Sequence, residues 1–242
     1  MTAVKSPWII GFGIVALAHL VLVGFDVSPL DTITKVLLAP LLAAWVWQLD
    51  GPRLLVLALI FCFFGDLFMD LDGWFAAGMA AFAAAHICFI TVFVQRGAFP
   101  ALRASVAGRE RWRAGLAVVY LLGALGVVAW AWGGFEPAIR AAVPIYALLL
   151  AGTATTSMAL DTRSGIGAAL FVLSDSLIAL GEAGRLDATA TWHRLAVMTL
   201  YLFGIFLIAA GVLNRERRTR RIAADGFDIT QRTDCWPRIP AR

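Results

Sequence analysis

The chain has 242 residues, of which 61% are hydrophobic and only 15% charged, with a mean hydropathy of +0.82 and a net charge of +4. That composition excludes a soluble globular domain, and apolar runs of roughly 20 residues mark membrane-spanning helices. Short alternating segments of the kind that build a membrane β-barrel are absent. The three cysteines exclude a disulfide framework: Cys62 and Cys88 fall inside apolar runs as packing residues, and Cys235 sits in the C-terminal stretch.

In chain order the sequence predicts eight spans. The first runs from about Pro7 to Phe25; its length, and the lack of a small-residue cleavage site before Asp26, favour a helix over a signal peptide. The second covers Thr32 to Leu49 and is separated by Gly51-Pro52 from the third, Leu54 to Leu71. Asp72-Gly73 is a tight turn, after which Trp74 starts the fourth span from an interfacial position and Gln95 ends it. A polar loop with Arg96, Arg103, Arg109, Arg111 and Arg113 leads to the fifth, Ala114 to Trp132, with Trp130 and Trp132 as an interfacial belt. Spans six to eight follow at Ala138 to Leu160, Gly165 to Gly181 and Trp192 to Leu213. The fold expected is therefore an all-α, polytopic domain over residues 1–213. A basic tail, 214–242, lacks apolar periodicity and is expected to be disordered and cytoplasmic, resting on anionic lipid.

With eight spans both termini share a side with the loops after spans two, four and six. That side carries all the basic residues except Lys35, Arg140, Arg185 and Arg194, so the positive-inside rule makes it cytoplasmic. The expected location is a bacterial-type inner membrane.

Two apolar stretches carry acids. FCFFGDLFMDLD, from Phe61, holds Asp66 and Asp70 on one helical face, roughly 6 Å apart along the axis. FVLSDSLIAL, from Phe171, holds Ser174 and Asp175. A carboxylate at bilayer depth costs about 2.5–3.5 kcal/mol and marks a functional site by default. Counting 1.5 Å per residue, Asp66 and Asp175 lie about 18 and about 15 Å above the cytoplasmic starts of their spans, in one layer with Tyr146 and Tyr201 and with His86 slightly deeper. Each aspartate stands on the third helix of a four-helix half, which suggests two parallel repeats.

Each of these side chains also has a structural reading. The aspartates could be interhelical glue, Asp70 a solvated carboxylate at the outer boundary, and His86 a helix-to-helix hydrogen bonder. Tyr146 and Tyr201 could be packing residues with satisfied hydroxyls, and Ser174 a small residue at a helix contact, which is the reading its surroundings favour. Lys35 can snorkel outward or hold a lipid phosphate. His19 and His193 read as helix-face and interface residues. No cluster has metal-ligand spacing, and no Gly-Xaa-Ser-Xaa-Gly elbow occurs.

The run FFGDLFMD, then His86 in FAAAHICFITVF, Tyr146 in VPIYALLLA and finally LFVLSDSLIAL, resembles the YhhN-like membrane proteins, which include the lysoplasmalogenases. The resemblance covers residues 7–213. It implies hydrolysis of the vinyl ether bond of a lysoplasmalogen to a fatty aldehyde and a glycerophospho-base, with a lysophospholipid drawn from the membrane as partner, no nucleic acid, and no cofactor or metal. The residues suit that chemistry. One carboxylic acid kept neutral by burial protonates the alkenyl carbon, and a second, ionised, stabilises the oxocarbenium-like ion and orients water. Asp66 and Asp175 are the expected catalytic pair, with Lys35, Asp70, His86, Tyr146, Ser174 and Tyr201 in binding or supporting roles. Two other classes remain open at this point: a small-solute or proton-coupled transporter, and an intramembrane aspartyl protease, for which Phe63 stands where a glycine is wanted.

Overall fold

A computed structural model describes residues 6–108 and 110–234, with residues 107 and 223–234 described by their backbone alone. Lys5, Arg109, Cys235, Arg238 and Arg242 lie outside the described residues, and so does the side chain of Arg232. The described residues are helical and connected by turns, with no strand among them.

In chain order the helices are α1 (Pro7–Gly24), α2 (Leu30–Gln48), α3 (Arg53–Met69), α4 (Phe75–Gln95), α5 (Ala98–Ala107), α6 (Arg111–Ala131), α7 (Pro137–Arg140), α8 (Ala142–Leu160), α9 (Thr162–Glu182) and α10 (Thr191–Asp234). Seven of them are long and apolar enough to cross a membrane; α3, with 17 residues, falls just below that length. The chain is thus an all-helical, multi-pass membrane protein.

Neighbours in sequence are mostly neighbours in space. α1 lies on α2, α2 on α3 and α3 on α4, while α8 and α10 flank α9 and α6 lies against α8. Contacts of α4 with α8, and of α1 and α2 with α10, close the bundle around a main apolar core that includes Leu38, Leu59, Phe89, Phe171 and Ile205, with a smaller cluster around Met79, Phe135 and Leu180. A hydrogen bond from Ser6 to Gln48 ties the start of α1 to the end of α2. Gly73 takes a φ of +79° in the turn between α3 and α4, a left-handed conformation that suits a residue without Cβ.

Three segments differ from the sequence expectation. The loop after the fourth span contains α5, which turns Ala98 and Ser105 inward. The sixth span is broken at Ala141 into α7 and α8, because Pro144 has no N–H to offer the Arg140 carbonyl and its ring crowds that group. The basic tail expected to be disordered is helical through Asp234 as a continuation of α10. Arginine, glutamate and alanine are good helix formers, which an apolar-periodicity reading does not register. Glu216 on this extension accepts from Arg96 at 2.7 Å, and Arg215 caps the Leu160 carbonyl at 2.9 Å.

Candidate active site

α3 and α9 each carry an aspartate thirteen residues beyond their first residue, Asp66 after Arg53 and Asp175 after Thr162, about 20 Å along each axis. Both side chains are buried. Gly65 is needed beside Asp66: a Cβ there would stand 2.6 Å from the Phe82 ring, so only glycine lets α4 approach this closely.

Each carboxylate meets a tyrosine from another helix. Tyr201 on α10 donates to Asp66 Oδ2 at 2.7 Å, and Tyr146 on α8 donates to Asp175 Oδ2. Between the two pairs stand Phe171 and His86. The Phe171 ring lies 5.3 Å from Tyr201 and 4.8 Å from His86, and His86 lies 5.7 Å from Tyr146, all edge to face. His86 Nδ1 bonds Thr153 Oγ1 at 3.1 Å, while its buried Nε2 has no hydrogen-bond partner among the described residues.

Asp175 borders a cavity among the described residues. Asp175 and Tyr146 line a narrow apolar cavity of about 60 Å³, walled by α4, α6, α8 and α9 through residues such as Met79, Val127, Leu150 and Val172. Asp66 is 3% exposed and sealed behind Tyr201. A second, polar recess of about 350 Å³ opens next to the first. Met69, Phe75 and Ile178 line both, so three apolar side chains form the boundary between them.

The recess carries the charges. Lys35 pairs with Asp70 at 2.6 Å, and Arg194 pairs with Asp31 at 2.7 Å and with Asp26, which ties α10 to the α1–α2 connection. His19, Thr32, Glu182 and His193 complete the polar lining. Beyond the recess, in the connection before α10, the hydroxyl and N–H of Thr189 bond to Asp187 and hold its carboxyl below the usual carboxylate range. Among the described residues no three His, Cys, Asp or Glu side chains are grouped to hold a metal ion.

Of the residues singled out from sequence, Asp66, Tyr201, His86, Tyr146 and Asp175 form one connected constellation, and Lys35 and Asp70 lie in the adjoining recess. Ser174 joins neither. It is fully buried and donates to the Val197 carbonyl at 3.0 Å, bridging α9 and α10. Sequence reasoning missed Arg194, Asp31, Glu182, Thr153 and the three boundary residues. Arg194 had one signal, the pair of acids Asp26 and Asp31 at the same end of the bundle; the others emerge only when the helices pack.

The model of the YhhN family matches residues 30–212. Two curated relatives, each named lysoplasmalogenase, come from Mycobacterium bovis and Mycobacterium tuberculosis. Each is 31% identical over 138 residues, which is 54% of this chain and 50% of the relative. The aligned stretch thus spans half the length of those relatives. No solved structure matches the chain. With the family match running from the start of α2 deep into α10, the chain belongs to the YhhN family.

Proposed function

We propose that this protein is a membrane hydrolase of the lysoplasmalogenase kind, cleaving the vinyl ether bond of a 1-alkenyl lysophospholipid. The observation that carries this reading is the junction of two unlike cavities beside a buried acid. The apolar cavity of about 60 Å³ ending on Asp175 and Tyr146 has room for the ether-linked end of the alkenyl chain, and the charged recess across Met69, Phe75 and Ile178 suits the glycerophospho-base. A lysolipid is amphipathic in the same sense.

In this reading Asp175 in its acid form gives its proton to the alkenyl carbon distal to the ether oxygen. The positive charge then rests on the carbon bonded to oxygen. Water adds there and returns a proton to the Asp175 carboxylate, which Tyr146 holds through its hydroxyl. The hemiacetal collapses with cleavage of the carbon–oxygen bond, giving aldehyde and glycerol hydroxyl, so one water is consumed and nothing is oxidised. Asp66, held by Tyr201, is the second carboxylate, whose negative charge offsets the cation from behind the aromatic partition. His86 and Phe171 keep that partition dry, and Lys35 engages the headgroup phosphate.

The proposal extends to topology. α3 is the eighth span, packed between α2 and α4 and shorter than the rest, and both termini are cytoplasmic in a bacterial-type inner membrane. The recess then opens on the outer side. Purified protein incubated with a lysoplasmalogen should release fatty aldehyde, and should release none from the matching 1-acyl or 1-alkyl lysolipid. Absence of aldehyde from the alkenyl substrate refutes the reading.

A further inference from the structure

None of the residues that line the candidate active site takes part in a second groove, formed where α1 meets α10. Its deeper part is walled by Phe12, Ala16, Leu20, Leu202 and Phe206, and it continues past Ile9 to Trp45, Arg163 and Arg217. The two parts measure about 380 and about 460 Å³, within the ~300–1,000 Å³ range of ligand sites. Phe206 joins them, its ring 6.2 Å from Phe12 and 6.1 Å from Trp45. From Ile9 to Leu20 the groove runs about 16 Å along α1, half of a ~30 Å hydrocarbon core, which is the depth of one leaflet.

Its open end is cationic. Arg163 and Arg217 stand there without an acidic partner among the described residues, unlike Arg96, Arg113 and Arg194. Trp45 lines the same end at 5% exposure, and its Nε1 donor also lacks a partner among the described residues. A guanidinium pair suits phosphate oxygens, which it can bond in bidentate fashion. Apolar walls one leaflet deep, capped by two unpaired guanidiniums and a spare N–H, match one amphiphile in chain length and in charge.

We propose that this groove binds one anionic phospholipid, with its phosphate on Arg163 and Arg217 and an acyl chain along Phe12, Ala16 and Phe206. The site is independent of the hydrolytic reading, because α1 and Arg217 lie outside the stretch matched to the family and none of these residues borders Asp175. Its occupant anchors α1 to α10 and is retained, not turned over.

The test is native mass spectrometry of the full chain purified in mild detergent, then exposed to phosphatidylglycerol or phosphatidylcholine, with inorganic phosphate as a separate arm in thermal unfolding. Wild type should retain phosphatidylglycerol in preference to phosphatidylcholine, and phosphatidylglycerol should raise Tm where inorganic phosphate does not. R163Q/R217Q should lower retention by roughly tenfold or more, since each cation near the surface contributes appreciably to anionic lipid binding. Gly13→Phe provides a second route: a Cβ at Gly13 meets nothing within 4 Å, so the ring projects into the groove without disturbing the helix contacts. It should also reduce retention while the variant keeps the wild-type elution profile. Equal retention of the two lipids, no retained anionic lipid, stabilisation by phosphate alone, or unchanged retention in either variant overturns the proposal.

Discussion

Asp175→Asn keeps the size of the side chain and much of its hydrogen bonding with Tyr146, but removes the proton that the proposed reaction transfers. Turnover should fall by at least about 10²-fold, the usual scale for a general acid–base group, and aldehyde release from purified variant measures it. Asp66→Asn should cost about as much, and the double variant scarcely more, because residues acting as a unit are strongly non-additive. Full activity in either single variant would return that aspartate to a structural role. Lys35→Gln should mainly raise KM, since the side chain lies in the recess and not beside Asp175; a kcat loss with unchanged KM would contradict headgroup binding. Much of this constellation was legible in the chain, because acids, a histidine and tyrosines stand out in apolar helices. What was not legible is the asymmetry between the acids. Asp66 and Asp175 have the same spacing from their helix starts, and it is the packing of α6 and α8 that opens a cavity at Asp175, while Asp66 lies behind Tyr201.

The α9–α10 pair carries Asp175 and Tyr201, and its closeness depends on glycine. A Cβ at Gly167 would lie 2.7 Å from the Gly204 carbonyl, and one at Gly204 would lie 3.0 Å from the Gly167 carbonyl. Small residues that admit backbone contact are the usual means of helix association in membranes. Gly167→Val should therefore force the helices apart and destabilise the fold by about 1–3 kcal/mol, read as a lower Tm in detergent. An unchanged Tm would mean that the seam has slack. At this scale the apolar runs located the long helices to within a few residues, as with Pro7 to Phe25 against Pro7–Gly24. The errors fell where apolarity is not what makes a helix: the arginine-rich continuation of α10, the short α5, and the break that Pro144 imposes.

For the molecule as a whole, the testable property is orientation. Cysteines introduced singly at Arg111 and Asp187 should react with a membrane-impermeant thiol reagent from opposite sides, Asp187→Cys from outside intact cells and Arg111→Cys only after permeabilisation. Cys62 and Cys88 are buried, and Cys235, which would report together with Arg111→Cys, is replaced by serine in both variants. Labelling of both from one side would remove one of α6, α8 and α9 from the count, whereas an exchange of the two sides would point to α3, the shortest of the long helices, whose loss reverses every later connection relative to the N-terminus. The charge asymmetry that supports this orientation is a property of the loops, readable without any packing. The pairing of helices across the bundle, such as α4 with α8, has no counterpart in local sequence.

In the proposed reaction, the boundary made by Met69, Phe75 and Ile178 would also govern the fate of the products once the bond is cleaved. Before the reaction one molecule straddles it, and afterwards each fragment belongs wholly to one compartment. The aldehyde would be left in the apolar cavity among α4, α6, α8 and α9, and the glycerophospho-base in the charged recess. The two products would then leave for different phases, the aldehyde for the bilayer and the base for water. Neither then shields the other from escape, and re-formation of the ether would require both to return at once from immiscible surroundings.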